Sequence, residues 1–424
     1  MLRRPRRFVL FAIATVLAAC AREAPPPDPR TPAESPVVLA VAGAANTNVS
    51  LAAHGQDVVA TWAATAGEAT NIVAAISHDG GVTFHAPVRV NDVEGDARVT
   101  GEQAPRVAIG RDIVVIWTSK LGGESHVRLA RSTDGGATYQ PAITLHALHL
   151  TGARGWASIA TDAAGVVHAA WLDGRDTMAG MTHAATPGSG ESHAMHGAMR
   201  QDIFEATWRP DGSRSEVRLA ENVCFCCKTS ISIAPSGAIY AAWRNIYPTD
   251  IRDMAVAAST DGGRTFTPPV RVSQDHWQID ACPEDGPSTV VTSDGVLHIV
   301  WPTLLEGPNP KKAIFYCWST DGGRTFAPRV RVDVGDEGEA SHPQIAAHGS
   351  GVMVVWESAH DGRHAVDARE IPAERAGVVT PGRLSSPSGD GQDVYPAIAD
   401  ANGAAVIAWT RKAGDVTTIR ILRR

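Results

Sequence analysis

Ser77-His-Asp-Gly-Gly-Val-Thr-Phe84, Ser132-Thr-Asp-Gly-Gly-Ala-Thr-Tyr139, Ser259-Thr-Asp-Gly-Gly-Arg-Thr-Phe266 and Ser319-Thr-Asp-Gly-Gly-Arg-Thr-Phe326 are four copies of one turn. In each copy the Asp side chain can bond the turn's backbone amides. The paired glycines accept positive φ, and the aromatic ring packs back under the hairpin. A turn repeated in this way implies a repeat architecture.

A second repeat is more regular. A short strand and a turn lead into a Val/Ala-rich strand that ends in Trp, at Trp62, Trp117, Trp171, Trp243, Trp301, Trp356 and Trp409. The spacings are 55, 54, 72, 58, 55 and 53 residues. Alternation within each copy, as in Val352-Met-Val-Val-Trp356, reads as a half-buried strand. The octapeptide follows a third strand (Ala255-Val-Ala-Ala258) and precedes a fourth (Val270-Arg-Val272). One unit is therefore four antiparallel strands, and there are seven units. The seventh stops after Thr417-Thr-Ile-Arg-Ile421, without an outer strand. Val37-Val-Leu-Ala-Val41 is a strand without a unit, placed to complete the seventh and close the ring. The expected fold is all-β: a seven-bladed β-propeller of four-stranded antiparallel blades, closed by an N-terminal strand, over residues 37–424.

The octapeptide resembles the Asp-box, the bacterial neuraminidase repeat of sialidase-like β-propellers. In that family the turn is structural and stands away from the active site. Sialidases have six blades, and the six-bladed form is the alternative architecture. The resemblance also implies an exo-sialidase-like glycoside hydrolase acting on acidic sugars. That chemistry needs an arginine triad for a carboxylate, a Tyr nucleophile backed by Glu, and an acid/base Asp. The family's first arginine precedes the first blade, where this chain reads Asn46-Thr-Asn-Val-Ser-Leu51. Arg154, Arg175, Arg244 and Arg252, with Tyr395 and Asp280, are the substitutes on offer. The competing reading makes those arginines salt bridges between blades. Enzyme activity is thus an open alternative, and the reading leans away from it.

The first residues read as an export signal: Arg3, Arg4, Arg6 and Arg7 before an apolar core from Phe8 to Leu17. Leu17-Ala-Ala-Cys20 resembles a bacterial lipobox, which implies a signal peptide over 1–19, lipidation of Cys20 and an outer-membrane lipoprotein facing the periplasm or cell surface. Residues 20–36 are a Pro-rich tether. Removing the four signal arginines leaves 34 basic against 45 acidic residues. No basic stripe is present, so nucleic acid is excluded as a partner. The expected partners are a metal ion, the membrane through the lipid, and an outer-membrane or periplasmic protein.

Two segments carry the unusual chemistry. Val223-Cys-Phe-Cys-Cys-Lys-Thr229 joins blade 3 to blade 4, and Asp275-His-Trp-Gln-Ile-Asp-Ala-Cys-Pro-Glu-Asp-Gly286 joins blade 4 to blade 5. Neighbouring loops on one face bring Cys224, Cys226, Cys227 and Cys282 together, with His276 beside them. In an oxidising compartment these are either disulfides or metal thiolates. The long third repeat contains Met178-Ala-Gly-Met-Thr-His183 and His193-Ala-Met-His-Gly-Ala-Met199. Thioether and imidazole at this density suit copper, and thiolate with thioether selects Cu(I). Met178, Met181, His183, His193, Met195, His196 and Met199 are thus expected as a capture loop, and the four cysteines as ligands or a redox pair. A non-catalytic scaffold with structural disulfides, binding protein or glycan, is the remaining alternative. Cys317, in Ile314-Phe-Tyr-Cys317, reads as a core thiol.

Overall fold

Blade 1 shows how the unit is built. Its strands Ala45–His54, Asp57–Ala66, Ala69–Ser77 and Val88–Arg89 form one antiparallel sheet in chain order. The third strand runs directly into the first Asp-Gly-Gly turn. There Asp79 accepts from the Thr83 amide at 2.9 Å and the Thr83 hydroxyl at 2.6 Å, and Ser77 Oγ accepts from the Gly81 amide at 2.9 Å. Gly80 and Gly81 have φ of 74° and 90°. A Cβ on Gly81 would also meet Val406 of blade 7 at 3.1 Å, so glycine is required for close approach as well as conformation. The Thr83 bonds hold the Asp79 carboxyl far below the usual range. Phe84 packs into the cluster that contains Trp62 and Ala408, tying blade 1 to blade 7.

Seven such sheets are present in this computed structural model, which describes residues 35–147, 151–175, 200–278, 284–305, 310–333, 338–374, 382–385 and 391–424. The first strands of successive blades touch in a closed ring, blade 7 returning to blade 1. Val37–Leu39 completes blade 7 as its outer strand, with Val37 opposite Ile421 and Leu39 opposite Ile419. The seven-bladed architecture and its closure by the N-terminal strand follow. The proposed signal peptide, Cys20 and all but the last two residues of the tether lie outside the described residues.

All seven Trp are buried in second strands. Five of the indole N–H groups are satisfied locally. Trp62 donates to Asn46, Trp117 to Asp96, Trp171 to Asp173, Trp243 to Asn245 and Trp301 to Asp275. The repeat thus spends a bulky apolar ring on the core and a nearby polar side chain on its N–H.

A shared irregularity marks the first strands. Four first strands bulge near their start, between Thr47 and Ser50, Gly155 and Ser158, Ser341 and Gln344, and Val394 and Ala397. The residue in each bulge is left-handed: Asn48, Trp156, His342 and Tyr395, with φ of 52–58°. Aligning the repeats puts Ala104, Lys228 and Gly286 at the equivalent positions of the other three blades.

Candidate functional site

Cys224 ends the outer strand of blade 3 (Arg214–Cys224), and the first strand of blade 4 (Ser230–Ile233) begins six residues later. This short crossing folds the cysteines onto one another. The Sγ atoms of Cys224, Cys226 and Cys227 lie within 4.8 Å of each other, all buried, against Trp156, Phe225 and Ile246. Cys226 is disulfide-bonded, whereas Cys224 and Cys227 are free thiols 3.7 Å apart. The other described cysteines are free, so the partner of Cys226 lies outside the described residues. The expectation of Cys226 as a thiolate ligand is corrected accordingly, because a disulfide sulfur carries no charge to offer a metal.

Two guanidiniums surround the thiols. Arg252 Nη1 is 3.9 Å from Cys224 Sγ, and Arg252 also pairs with Asp250 at 3.1 Å. Arg244, 2 % exposed, donates to the carbonyl oxygens of Arg252, Asp285 and Pro302 and lies 4.3 Å over the Trp277 ring. Among the described residues no carboxylate pairs with Arg244. A buried cation needs a counter-charge, and the sulfur of Cys224 supplies one. The hydrogen bond from Cys227 is the main cause that brings the Cys224 thiol from 9.0 down to about 6; burial opposes, and Arg244 and Arg252 reinforce. Cys227 moves upward, chiefly through burial. Lowering one thiol and raising its neighbour favours one thiolate beside one thiol.

That asymmetry has a measurable consequence. The folded-state value of Cys224 lies below its unfolded value, so its contribution to stability is fully present above pH 9.0. The contribution fades as pH falls through about 6. Denaturant titrations against pH are expected to show this rise in the wild type and to lose it in Cys224→Ser. A flat profile in both would show that Cys224 is not ionised in the fold.

The remaining expected ligands are distributed more widely. His276 is exposed, left-handed at φ 55°, with its amide donating to Asp253, and is not in the three-sulfur group. Cys282, Asp280, Met178, Met181, His183, His193, Met195, His196 and Met199 lie outside the described residues. Chain connectivity still bears on the Met/His stretch. Met199 immediately precedes Arg200, whose ladder partner is Cys224. Cys317 is buried in the third strand of blade 5, Lys311–Ser319, and burial pushes its thiol up.

The four arginines weighed for a carboxylate site separate into two pairs. Arg154 and Arg175 share Asp173, at 3.0 and 2.6 Å, and Arg175 also meets Glu216. Arg244 and Arg252 belong to the thiols. Tyr395 stands elsewhere, at the channel mouth, its ring 4.6 Å from that of His342. A cavity of about 20 Å³ there is lined by Asn48, Glu102, Arg106, His342 and Tyr395 among others. Burial and Glu357 push the Tyr395 hydroxyl up to about 12.

The channel also holds a charged group whose members are scattered through the sequence. Lys228 of blade 4 donates to Glu102 of blade 2 and to the Pro343 carbonyl of blade 6 at 3.2 Å. Glu102 also accepts from the Gly286 amide at 2.8 Å, and the His342 amide donates to Asp285 at 3.1 Å. Burial alone would raise Glu102, but Lys228 and His342 bring it below its usual range. Burial raises Asp285, and the carboxylates of Asp285 and Glu102 raise His342 against its own burial. The usable signal was the repeat register: Ala104-Pro105, Gly286-Pro287, His342-Pro343 and Tyr395-Pro396 align once the blades are superposed.

No protein-family model and no curated relative matches the chain. Among solved structures it is similar to an ulvan lyase of a polysaccharide lyase family, bound to -[GlcA(1-4)Rha3S]-, at a TM-score of 0.56 and 9% identity, covering 91% of this chain and 95% of that one. A Dyadobacter fermentans protein of unknown function matches at 0.52 and 13%, covering 92% and 98%. The α-L-arabinanase of Penicillium chrysogenum, complexed with arabinobiose, matches at 0.50 and 12%, covering 93% and 98%. Sialidase structures align at 0.44 to 0.47. At these identities the likeness is one of fold.

Proposed function

We propose that this chain is an exported, lipid-anchored β-propeller that binds copper as Cu(I) through Cys224 and Cys227. The observation that carries the reading is the pair of free sulfurs 3.7 Å apart beside Arg244, a buried cation without a carboxylate partner among the described residues. Two thiolates around one Cu(I) leave a single net negative charge, which suits that surrounding. Zinc's structural sites take four ligands, and with Cys226 oxidised the group offers two thiol sulfurs. Thiolate ligands suit Cu(I), zinc and iron–sulfur clusters, and of these a site with two sulfurs fits Cu(I) best. The Met/His stretch from Met178 to Met199 would deliver the ion. Its support is connectivity alone: it rejoins the sheet opposite Cys224. The test is competition for Cu(I) between the reduced protein and a chromophoric chelator under anaerobic conditions, with Cys224→Ser and Cys227→Ser beside the wild type. Equal copper retention in all three removes the reading.

A second reading has its own observation, the opening at the channel mouth where Tyr395 faces His342 and Arg106. It makes the chain a glycan-acting propeller with an acidic-sugar substrate, Tyr395 being the reactive hydroxyl and Arg106 a guanidinium of the same lining. The similar ulvan lyase and arabinanase, each bound to a saccharide, lend it fold-level analogy. Turnover of a fluorogenic sialoside or a uronate polymer, lost in Tyr395→Phe, is its expected result. Absence of turnover in the wild type removes it.

A further inference from the structure

We propose that Cys224 and Cys227 also act as a peroxide-reducing pair, a chemistry that uses the same two sulfurs as the copper reading but does not depend on copper. Three features point to it. The sulfurs are 3.7 Å apart in a Cys-x-x-Cys spacing, so a disulfide forms by a short approach within one loop. Both residues are 1 % exposed, which shuts out a bulky disulfide substrate and leaves hydrogen peroxide, the smallest oxidant of this class, as the one to test. The surroundings supply donors for an oxygen that leaves with negative charge. Arg252 Nη1 lies 3.9 Å from Cys224 Sγ. Trp156 packs against the sulfurs, and its buried Nε1 has no acceptor among the described residues.

The reaction balances in two steps. Cys224 sulfur attacks one oxygen of the hydroperoxide, the O–O bond breaks, and the other oxygen leaves as hydroxide or alkoxide and becomes water or an alcohol by taking back from solvent the proton that Cys224 released on ionising. Cys224 is then a sulfenic acid, oxidised by two electrons, and the peroxide is reduced by the same two. Cys227 sulfur attacks the Cys224 sulfur, the S–O bond breaks, and the oxygen leaves as water with the Cys227 proton. The product is a Cys224–Cys227 disulfide and two molecules of water for each hydrogen peroxide. Cys227 is the resolving residue, and Arg252 and Trp156 are positioning residues. A closed disulfide cannot hold a metal, so peroxide and Cu(I) exclude one another at this pair.

The experiment treats metal-free, reduced full-length protein with one equivalent of hydrogen peroxide and maps the cysteines after alkylation. The expected result is a Cys224–Cys227 disulfide, with Cys317 left intact, formed at least about tenfold faster than Cys317 is oxidised. In Cys227→Ser the expected product is a sulfenic acid on Cys224, trapped by a carbon nucleophile. Cys317→Ser should react like the wild type, which controls for perturbation of the core. Intact Cys224 and Cys227, or oxidation at the rate of Cys317, overturns the proposal. A Cu(I) titration of untreated protein is run in parallel. Copper bound without peroxide reactivity sinks this inference alone, and peroxide reactivity without copper sinks the copper reading alone.

Discussion

Cys224→Ser and Cys227→Ser will each lose Cu(I) to a competing chelator by more than the ~100-fold that removal of a supporting group around a metal costs. The reason is coordination number. With Cys226 already in a disulfide, Cys224 and Cys227 are the two free thiols of the group, and serine oxygen is a poor ligand for a soft ion. The two variants differ in a second respect. Cys224→Ser removes the counter-charge of Arg244, so it should also lower stability at neutral pH. Cys227→Ser leaves the Cys224 sulfur in place with a hydroxyl beside it that can still donate, so it should keep the stability at neutral pH that Cys224→Ser loses. Equal losses of stability in the two variants would mean that the two sulfurs do not play different parts.

Lys228→Met will destabilise the propeller by about 3–5 kcal/mol. Lys228 and Glu102 are both almost wholly buried, and they join blade 4 to blade 2 across the channel. Removing the cation leaves Glu102 buried, with the Gly286 amide, His342 and the more distant Arg106 to answer its charge. The double variant Glu102→Gln/Lys228→Met removes both charges and should recover most of that loss. Denaturant unfolding of the single and double variants measures it. A single variant that costs less than about 1 kcal/mol would place this pair in the class of solvated surface bridges.

The architecture was readable because its determinants are local. An Asp-Gly-Gly turn needs positive φ at two neighbouring residues, and a Trp every 53 to 58 residues in all but one interval reports blade length directly. The ring closure was readable because the seventh unit lacked a strand and residues 37–41 formed one without a unit. The site was less so. Convergence of Cys224 and Cys227 follows from one short loop, but which sulfurs are oxidised depends on side-chain directions across two loops, and no spacing encodes that. The arginines were assigned to one face as a group. They divide because Asp173 sits two residues after Trp171 and captures Arg154 and Arg175 together. Glu102 and Lys228 are 126 residues apart and meet only because a ring folds back on itself. Each lies near a repeat position marked in other blades by a conspicuous proline, a cue that acquires meaning once the bulges are seen.

The most direct test is a thiol count and a copper count on one anaerobic sample purified without reductant. Denatured and mapped after alkylation, the described cysteines Cys224, Cys227 and Cys317 should be labelled and Cys226 should not. Native, it should hold one Cu(I) against the chelator that is absent from Cys224→Ser. A single thiol, that of Cys317, together with no retained copper would mean that the cysteines are staples and that this propeller does not bind copper through them.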